Sequence, residues 1–313
     1  MTGAPRHDLH QHDLDATVAA TLVNDAEVQP GDQVLEVGAG TGAITAALLQ
    51  AGARVVAWEF DRDRCAALRQ RFADAGSAFS LYQGNAVGRV LAGDWRVVAN
   101  PPFNRTADFM QAWLLSPTPP RRIDCLWQHQ AAAKWCAAAP DATVSGLLAH
   151  SLGVPRVVKR HPRGVTKPAS AVDLCHFAWS SYTVADTETD AASPSVSVST
   201  EVSQGSRQLP CAIGELFAWW RHAFAGPHTL REALRGHATT AILKKQAAKH
   251  GWSPDDHPRV LTIDAWLDLL GYLHSIGRVP PGATQDTPGT GRHRPRTARL
   301  VRQSSQKRSS SRK

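Results

Sequence analysis

Four consecutive residues in this chain join an amide, two prolines and an aromatic ring: Asn100-Pro101-Pro102-Phe103. They follow the apolar run Val97-Val98-Ala99, so the four lie where a buried strand passes into a loop. Two prolines fix two φ angles and remove two backbone donors, which makes the loop stiff. The residue before a proline is pushed to an extended backbone, so Asn100 holds its amide at a set angle. An amide acceptor, a free proline carbonyl and an aromatic plate can together hold a flat ring that carries an amino group. Asn100, Pro101 and Phe103 are therefore the candidate catalytic residues.

A second constellation lies upstream. The short apolar strand Gln33-Val34-Leu35-Glu36-Val37 runs into Gly38-Ala39-Gly40-Thr41-Gly42, and a helix is expected over residues 43–51. A second strand, Arg54-Val55-Val56-Ala57-Trp58, ends at the acidic Glu59. Strand, glycine turn, helix, strand and acid make half of a Rossmann-like unit, in which glycines admit a ligand close to the backbone and the acid binds two ribose hydroxyls. A dinucleotide site prefers G-x-G-x-x-G, whereas here the third glycine comes one place earlier. That spacing suits S-adenosylmethionine, which needs no pyrophosphate pocket; an NAD site and a glycine turn without ligand are the alternatives. A third strand at Phe79-Ser80-Leu81-Tyr82-Gln83 leads to Gly84-Asn85-Ala86. Asn85 then stands level with Gly38 and Glu59 at the strand ends of an open parallel sheet, where its amide can meet an adenine edge. A turn-forming Asn is the plainer reading.

The elements that position these residues fill a chain of 313 residues, long enough for two domains. No apolar run approaches the roughly 18 residues of a membrane span. The N-terminal stretch lacks the pattern of a secretory signal. Five cysteines, Cys65, Cys125, Cys136, Cys175 and Cys211, form no C-x-x-C pair. This favours reduced thiols and a cytoplasmic location over disulfides or a zinc site, and none of the histidine groups has metal-ligand spacing. No metal is expected. The net charge of +8 is concentrated after residue 280, where nine Arg or Lys stand against the single acid Asp286. This Ser- and Pro-rich tail, 281–313, reads as a disordered basic arm that grips phosphates; deleting it is expected to weaken RNA binding and flatten its salt dependence. A solubilising tail is the alternative. Residues 183–208 read as a flexible linker, and helices are expected at 213–224, 229–234, 239–250 and 263–275. Trp219 and Trp220 read as a helix core face, and Lys159-Arg160-His161-Pro162-Arg163 as a basic loop.

Together these segments resemble the rRNA adenine N6-methyltransferases, the Erm and KsgA family. Val34-Leu35-Glu36-Val37-Gly38-Ala39-Gly40-Thr41-Gly42 is similar to the family's glycine motif almost residue for residue. Gln11-His12-Asp13-Leu14 resembles its Q-N-F-L element, Trp58-Glu59-Phe60-Asp61 its E-I-D, Gly84-Asn85-Ala86 its G-D-A, and Asn100-Pro101-Pro102-Phe103 its N-[IL]-P-[FY]. Lys167 to Asp173 and Val260 to Leu267 resemble later family elements. His12, Asp13, Asn85 and Pro101 depart from the usual pattern. The resemblance implies cofactor contacts at Gln11, His12, Leu14, Gly38, Gly40, Glu59, Asn85 and Asn100. It implies a class I methyltransferase domain at 8–182, a small helical RNA-binding domain at 209–280 and a monomer.

The chemistry follows from the nitrogen. An aromatic amine is a poor nucleophile because its lone pair is shared with the ring. Two acceptors, the Asn100 side-chain oxygen and the Pro101 carbonyl, can each take one N6–H bond and turn the lone pair toward a sulfonium methyl, with Phe103 stacked on the flipped base. The resemblance favours the Erm branch: methylation of an adenine in 23S rRNA, conferring macrolide-lincosamide-streptogramin B resistance, on rRNA or an assembly intermediate. The alternatives are a small-subunit rRNA dimethyltransferase, a DNA adenine-N6 methylase, which shares N-P-P-F, and a non-catalytic RNA-binding factor.

Overall fold

A computed structural model of the protein describes residues 13–182 and 207–280. Gln11, His12, nearly all of the expected linker and the basic tail lie outside the described residues.

The central element is a seven-stranded sheet. It contains β2 (Gln33–Val37), β3 (Arg54–Glu59), β4 (Phe79–Gln83), β5 (Arg96–Ala99), β6 (Arg122–Gln128), β7 (Gly153–His161) and β9 (Leu174–Ser181), in the order β4-β3-β2-β5-β6-β9-β7. The first five of these neighbours run parallel, and β9 pairs antiparallel with both β6 and β7. From β2 the chain winds outward through β3 and β4, then returns to lay β5 on the other side of β2. That reversal opens a crevice at the carboxyl ends of β2 and β5, where open sheets bind ligands. Two short strands, β1 (Asp13–Leu14) and β8 (Thr166–Lys167), pair beside the main sheet.

Alternation along the strands gives each face its own core. Val34, Val55, Ala57 and Val98 pack with Leu22, Ile44 and Leu48 from α1 (Ala16–Asp25) and α2 (Ala43–Gln50). Asp15 caps α1, its carboxylate accepting from Thr17 N–H at 2.9 Å. The opposite face, with Leu35, Val97, Ile123 and Phe177, packs against α4 (Thr106–Leu114), α5 (His129–Cys136) and α6 (Val144–Leu152). The C-terminal helices α7 (Ile213–Ala223), α8 (Leu230–Ala233), α9 (Thr240–His250) and α10 (Ile263–Ser275) join this second core. Trp219, Trp220 and Trp266 are fully buried in it, as expected of a helix core face. Burying each large apolar side chain contributes about 1.5–3 kcal/mol, so α7 and α10 are held chiefly by these rings.

The end of the sheet away from the crevice is closed by buried charges. Arg96 at the start of β5 pairs with Asp32 at 2.8 Å, Arg122 at the start of β6 with Asp124 at 2.9 Å, and His176 of β9 meets Asp124 at 2.9 Å. Removing one partner of such a set leaves an uncompensated buried charge.

One expected loop is a strand. Lys159, Arg160 and His161 form the end of β7, paired with His176, Cys175 and Leu174. As the sheet's edge strand, β7 keeps its charged side chains in solvent, and this polar edge reads as loop when the partner strand is not in view.

Candidate functional site

The carboxyl ends of β2, β3, β4 and β5 enclose a cavity of about 310 Å³. Gly38, Gly40, Glu59, Asn85, Asn100, Pro101 and Phe103 all line it. The fold thus gathers residues from four separate stretches of sequence. Leu14 does not join them; it is buried in the core, and its neighbour Asp13 faces the cavity instead.

Glu59 organises one end of the cavity. At the last position of β3 it is only 5% exposed, and both carboxylate oxygens are engaged. One accepts from Gly40 N–H at 2.8 Å, the other from Asp61 N–H at 2.9 Å. Asp61 in turn caps α3 (Arg62–Arg71), accepting from Asp63 and Arg64 N–H. One acid therefore ties the glycine loop to the start of the next helix, and the turn between leaves Phe60 67% exposed at the cavity wall. Beside it Trp58 stacks on Tyr82, ring centroids 5.1 Å apart, while Arg89 covers Trp58 at 4.4 Å.

Two glycines are required by what surrounds them. At Gly40 φ is +59°, and a Cβ would lie 2.8 Å from Asp13 Oδ1 and 2.9 Å from Arg64 Nη1. At Gly42, the N-cap of α2 with φ +82°, a Cβ would strike the Phe72 ring at 2.7 Å and Leu68 at 2.8 Å. The loop is consequently held against α3 below while its backbone stays open to the cavity above.

Asp13 and Arg64, which sequence reading does not assign to the site, form a two-pronged ion pair across Gly40 with contacts of 2.7 and 2.9 Å. The pair latches β1 over the glycine loop. Asp13 stands at the Phe position of the Q-N-F-L resemblance, and only the fold shows that Arg64, 51 residues away, answers it.

Glu36, on β2 just before the loop, is fully buried. It accepts from the Thr45 hydroxyl at 2.6 Å. Burial pushes its carboxyl up to about 8, the Thr45 hydrogen bonds pull the other way, and the Glu59 charge adds to the rise. Glu36 is thus a neutral acid at ordinary pH, anchoring the first turn of α2.

At the substrate end Asn100 follows β5, its Oδ1 buried. The Gly38 Cα approaches so closely that a Cβ there would lie 3.6 Å from the Asn100 carbonyl, which brings the two motifs together at the switch between β2 and β5. Pro101 is buried. Phe103 opens a short 3-10 turn (Phe103–Arg105) and is 9% exposed, so only part of its ring faces the cavity. Asn85 is exposed at the far wall and its Oδ1 accepts from Val87 N–H at 3.0 Å, a turn that leaves its amide NH2 toward solvent.

These residues suit S-adenosylmethionine. The glycine loop lines the cavity at Gly38 and Gly40, Glu59 stands at the strand end, and Trp58 and Phe60 line the cavity with Asn85. Among the described residues no helix is long and apolar enough to cross a membrane.

Comparison with known proteins agrees on the family and corrects the branch. The sequence matches the profile of the family described as ribosomal RNA adenine dimethylase over residues 6–176. It is 37% identical over 286 residues to ribosomal RNA small subunit methyltransferase A of Prochlorococcus marinus strain MIT 9303, covering 86% of this chain and 93% of that protein. The like-named protein of Synechococcus sp. strain RCC307 is 39% identical over 283 residues, covering 84% and 94%. That of Thermosynechococcus vestitus is 44% identical over 107 residues, a stretch spanning 40% of that relative. Among solved structures, a dimethyladenosine transferase from Plasmodium falciparum superposes with a TM-score of 0.65 at 16% identity, covering 85% of this chain and 98% of that one. The 23S rRNA methyltransferase ErmE superposes with a TM-score of 0.62 at 17% identity, covering 83% and 98%. At such identities the superpositions speak for the fold alone. The near-full-length relatives carry small-subunit names, which overturns the expected Erm-branch, 23S and antibiotic-resistance reading. By its profile match and these relatives, the chain belongs to the ribosomal RNA adenine dimethylase family, rRNA adenine methyltransferases that take their methyl group from S-adenosylmethionine.

Proposed function

We propose that this protein methylates adenine N6 in small-subunit rRNA, to the dimethyl state. The observation that carries the reading is similarity at 37% and 39% identity, over more than four fifths of the chain, to two proteins named small subunit methyltransferase A. The convergence of Asn100, Glu59 and the glycine loop on one cavity supports it.

When bound, the cofactor supplies an electrophilic methyl on a positively charged sulfur. Glu59, already turned to the glycine loop, meets the ribose hydroxyls, and the Asn85 amide offers an adenine-edge contact. Gln11 and His12, outside the described residues, stand with Leu14 in the element expected near the methionine end. Asn100 Oδ1 and the Pro101 carbonyl accept the two N6–H bonds of the target base and pyramidalise its nitrogen. The partly exposed Phe103 ring stacks on the base after it leaves its helix, and stacking of about 1–3 kcal/mol offsets part of the unstacking cost. Catalysis then rests on position and orientation. Each transfer releases one N6 proton to solvent, so after the first one N6–H remains, and a second cycle needs only one of the two acceptors.

In the same reading residues 8–182 form the catalytic domain, 183–208 a linker, 209–280 a helical unit that helps hold RNA, and 281–313 a basic arm on phosphates. Exposed Lys244, Lys245 and Lys249 on α9 suit such contacts. An rRNA substrate is consistent with a cytoplasmic location. The test is methyl transfer from labelled cofactor to small-subunit particles, free small-subunit rRNA, large-subunit rRNA and duplex DNA in parallel, with primer extension. Label in small-subunit RNA with a reverse-transcriptase stop is expected. Label confined to large-subunit RNA or to DNA would overturn the reading.

A further inference from the structure

The sequence shows no metal motif, yet the fold assembles a set of donors that sequence spacing hides. Cys211, Glu215 and His274 bring one sulfur, one carboxylate oxygen and one imidazole nitrogen within 4.8 Å of one another. Two of the donors already touch, His274 Nδ1 lying 3.1 Å from Glu215 Oε1. No other group of three His, Cys, Asp or Glu donors is so close among the described residues.

The three come from two places 59 residues apart. Glu215 stands in the first turn of α7, Cys211 just before it, and His274 in the last turn of α10. Independent contacts hold the approach to Cys211 in position. Arg207 pairs with Asp264 of α10 at 2.8 Å, and Pro210 packs so tightly on Gly271 that a Cβ there would lie 2.9 Å from it. The donors are therefore presented on a supported frame, with half-exposed His274 free to adjust by rotation.

We propose that Cys211, Glu215 and His274 form a zinc site that clips the entry of the C-terminal helical region to its last turn. One thiolate, one imidazole and one carboxylate are ligands zinc accepts, at about 2.3, 2.0 and 2.0–2.2 Å. Tetrahedral geometry at those lengths separates donors by roughly 3.3–3.6 Å, so the widest pair needs to close by about 1.2 Å at most. The exposed side of His274 leaves the fourth position to water. Binding zinc replaces the Cys211 S–H bond with a Zn–S bond and releases the proton to solvent. The ion would close a long loop across α7, α8, α9 and α10, which restricts the unfolded chain and steadies the layer carrying Lys244, Lys245 and Lys249.

The test uses the full chain, reduced, stripped with chelator and desalted. Titration with Zn²⁺ against a chromophoric competitor is expected to show one tight equivalent and a rise in Tm. Co²⁺ in its place is expected to give tetrahedral d–d bands with a sulfur-to-metal charge-transfer band in the near ultraviolet. Cys211→Ser should lose that band. His274→Ala, at an exposed position that tolerates truncation, should lose more than about 100-fold in affinity, since even outer-shell partners cost 10–100-fold. Both variants should keep the metal-free Tm. Absence of a tight equivalent in the wild type overturns the proposal. So does an unchanged affinity in both variants, or a cobalt spectrum without thiolate character. None of these readouts depends on which RNA the protein methylates.

Discussion

Glu36→Gln should abolish a pH dependence of stability that the wild type carries. The Glu36 carboxyl is fully buried and its folded value is about 8, against an ordinary value of 4.5. A carboxyl raised on folding makes the native state hold a proton that the unfolded chain has released, so stability falls as pH rises between those two values and levels off above about 8. At one pKa unit per about 1.4 kcal/mol, this group alone removes about 2.5 kcal/mol of stability between pH 5.5 and pH 7.5. Gln keeps the shape and the acceptor for the Thr45 hydroxyl but does not titrate. Urea unfolding of the cofactor-free protein at half-unit pH steps measures both curves. The wild-type minus Glu36→Gln difference should drop by roughly 2–3 kcal/mol across that window, every other group cancelling. Parallel curves would refute the reasoning, because they would mean that Glu36 ionises in the fold as readily as in the unfolded chain.

Three further outcomes follow from the site. Asn100→Ala should lower kcat by about 10²–10³ while RNA affinity stays within a few-fold, the loss expected for a hydrogen bond strongest in the transition state; single-turnover methyl transfer and filter binding separate the two. Glu59→Gln should weaken cofactor binding by about 10- to 100-fold in calorimetry, since the amide replaces a charged acceptor of the Gly40 and Asp61 N–H groups. Arg64→Ala and Asp13→Ala should each raise the cofactor Kd, and the double variant should show a coupling of about 0.5–1 kcal/mol, because the pair is partly screened by solvent. Independent effects of the two would mean that the latch is not transmitted to the loop.

Much of this site is legible in the sequence because its parts are local. The strands β2, β3 and β4 are short apolar runs that end on glycine or acid, and each fixes its own site residue by position. What is illegible is whatever needs a partner from elsewhere. Asp13 looks like a lapse from the Q-N-F-L pattern until Arg64 appears beside it. Arg122 and Asp124 look wrong for a central strand, since buried charges disfavour one. They fit β6 because Glu27 and His176 arrive from other elements to pair with them. Lys159 to His161 read as loop because half of an edge strand's evidence is the strand it pairs with.

The choice of RNA is a different kind of gap. In the proposed mechanism Asn100, Pro101, Phe103, Glu59 and the glycine loop would serve any adenine amine presented to them, so they do not name the substrate. In the proposed reading, selection comes from surfaces away from the base, such as the polar face of β7 and the lysines of α9. Charged side chains on β7 and α9 are exposed, and they follow no spacing rule that a single sequence could reveal. The basic tail and the overall spacing therefore favour a large-subunit target, whereas likeness over more than four fifths of the chain to two relatives samples outer surfaces together with the core. If the substrate is chosen there, exchanging residues 209–280 with those of a large-subunit enzyme should shift RNA preference while leaving the cofactor Kd unchanged. A change in cofactor binding without a change in RNA would place selection in the catalytic cavity itself.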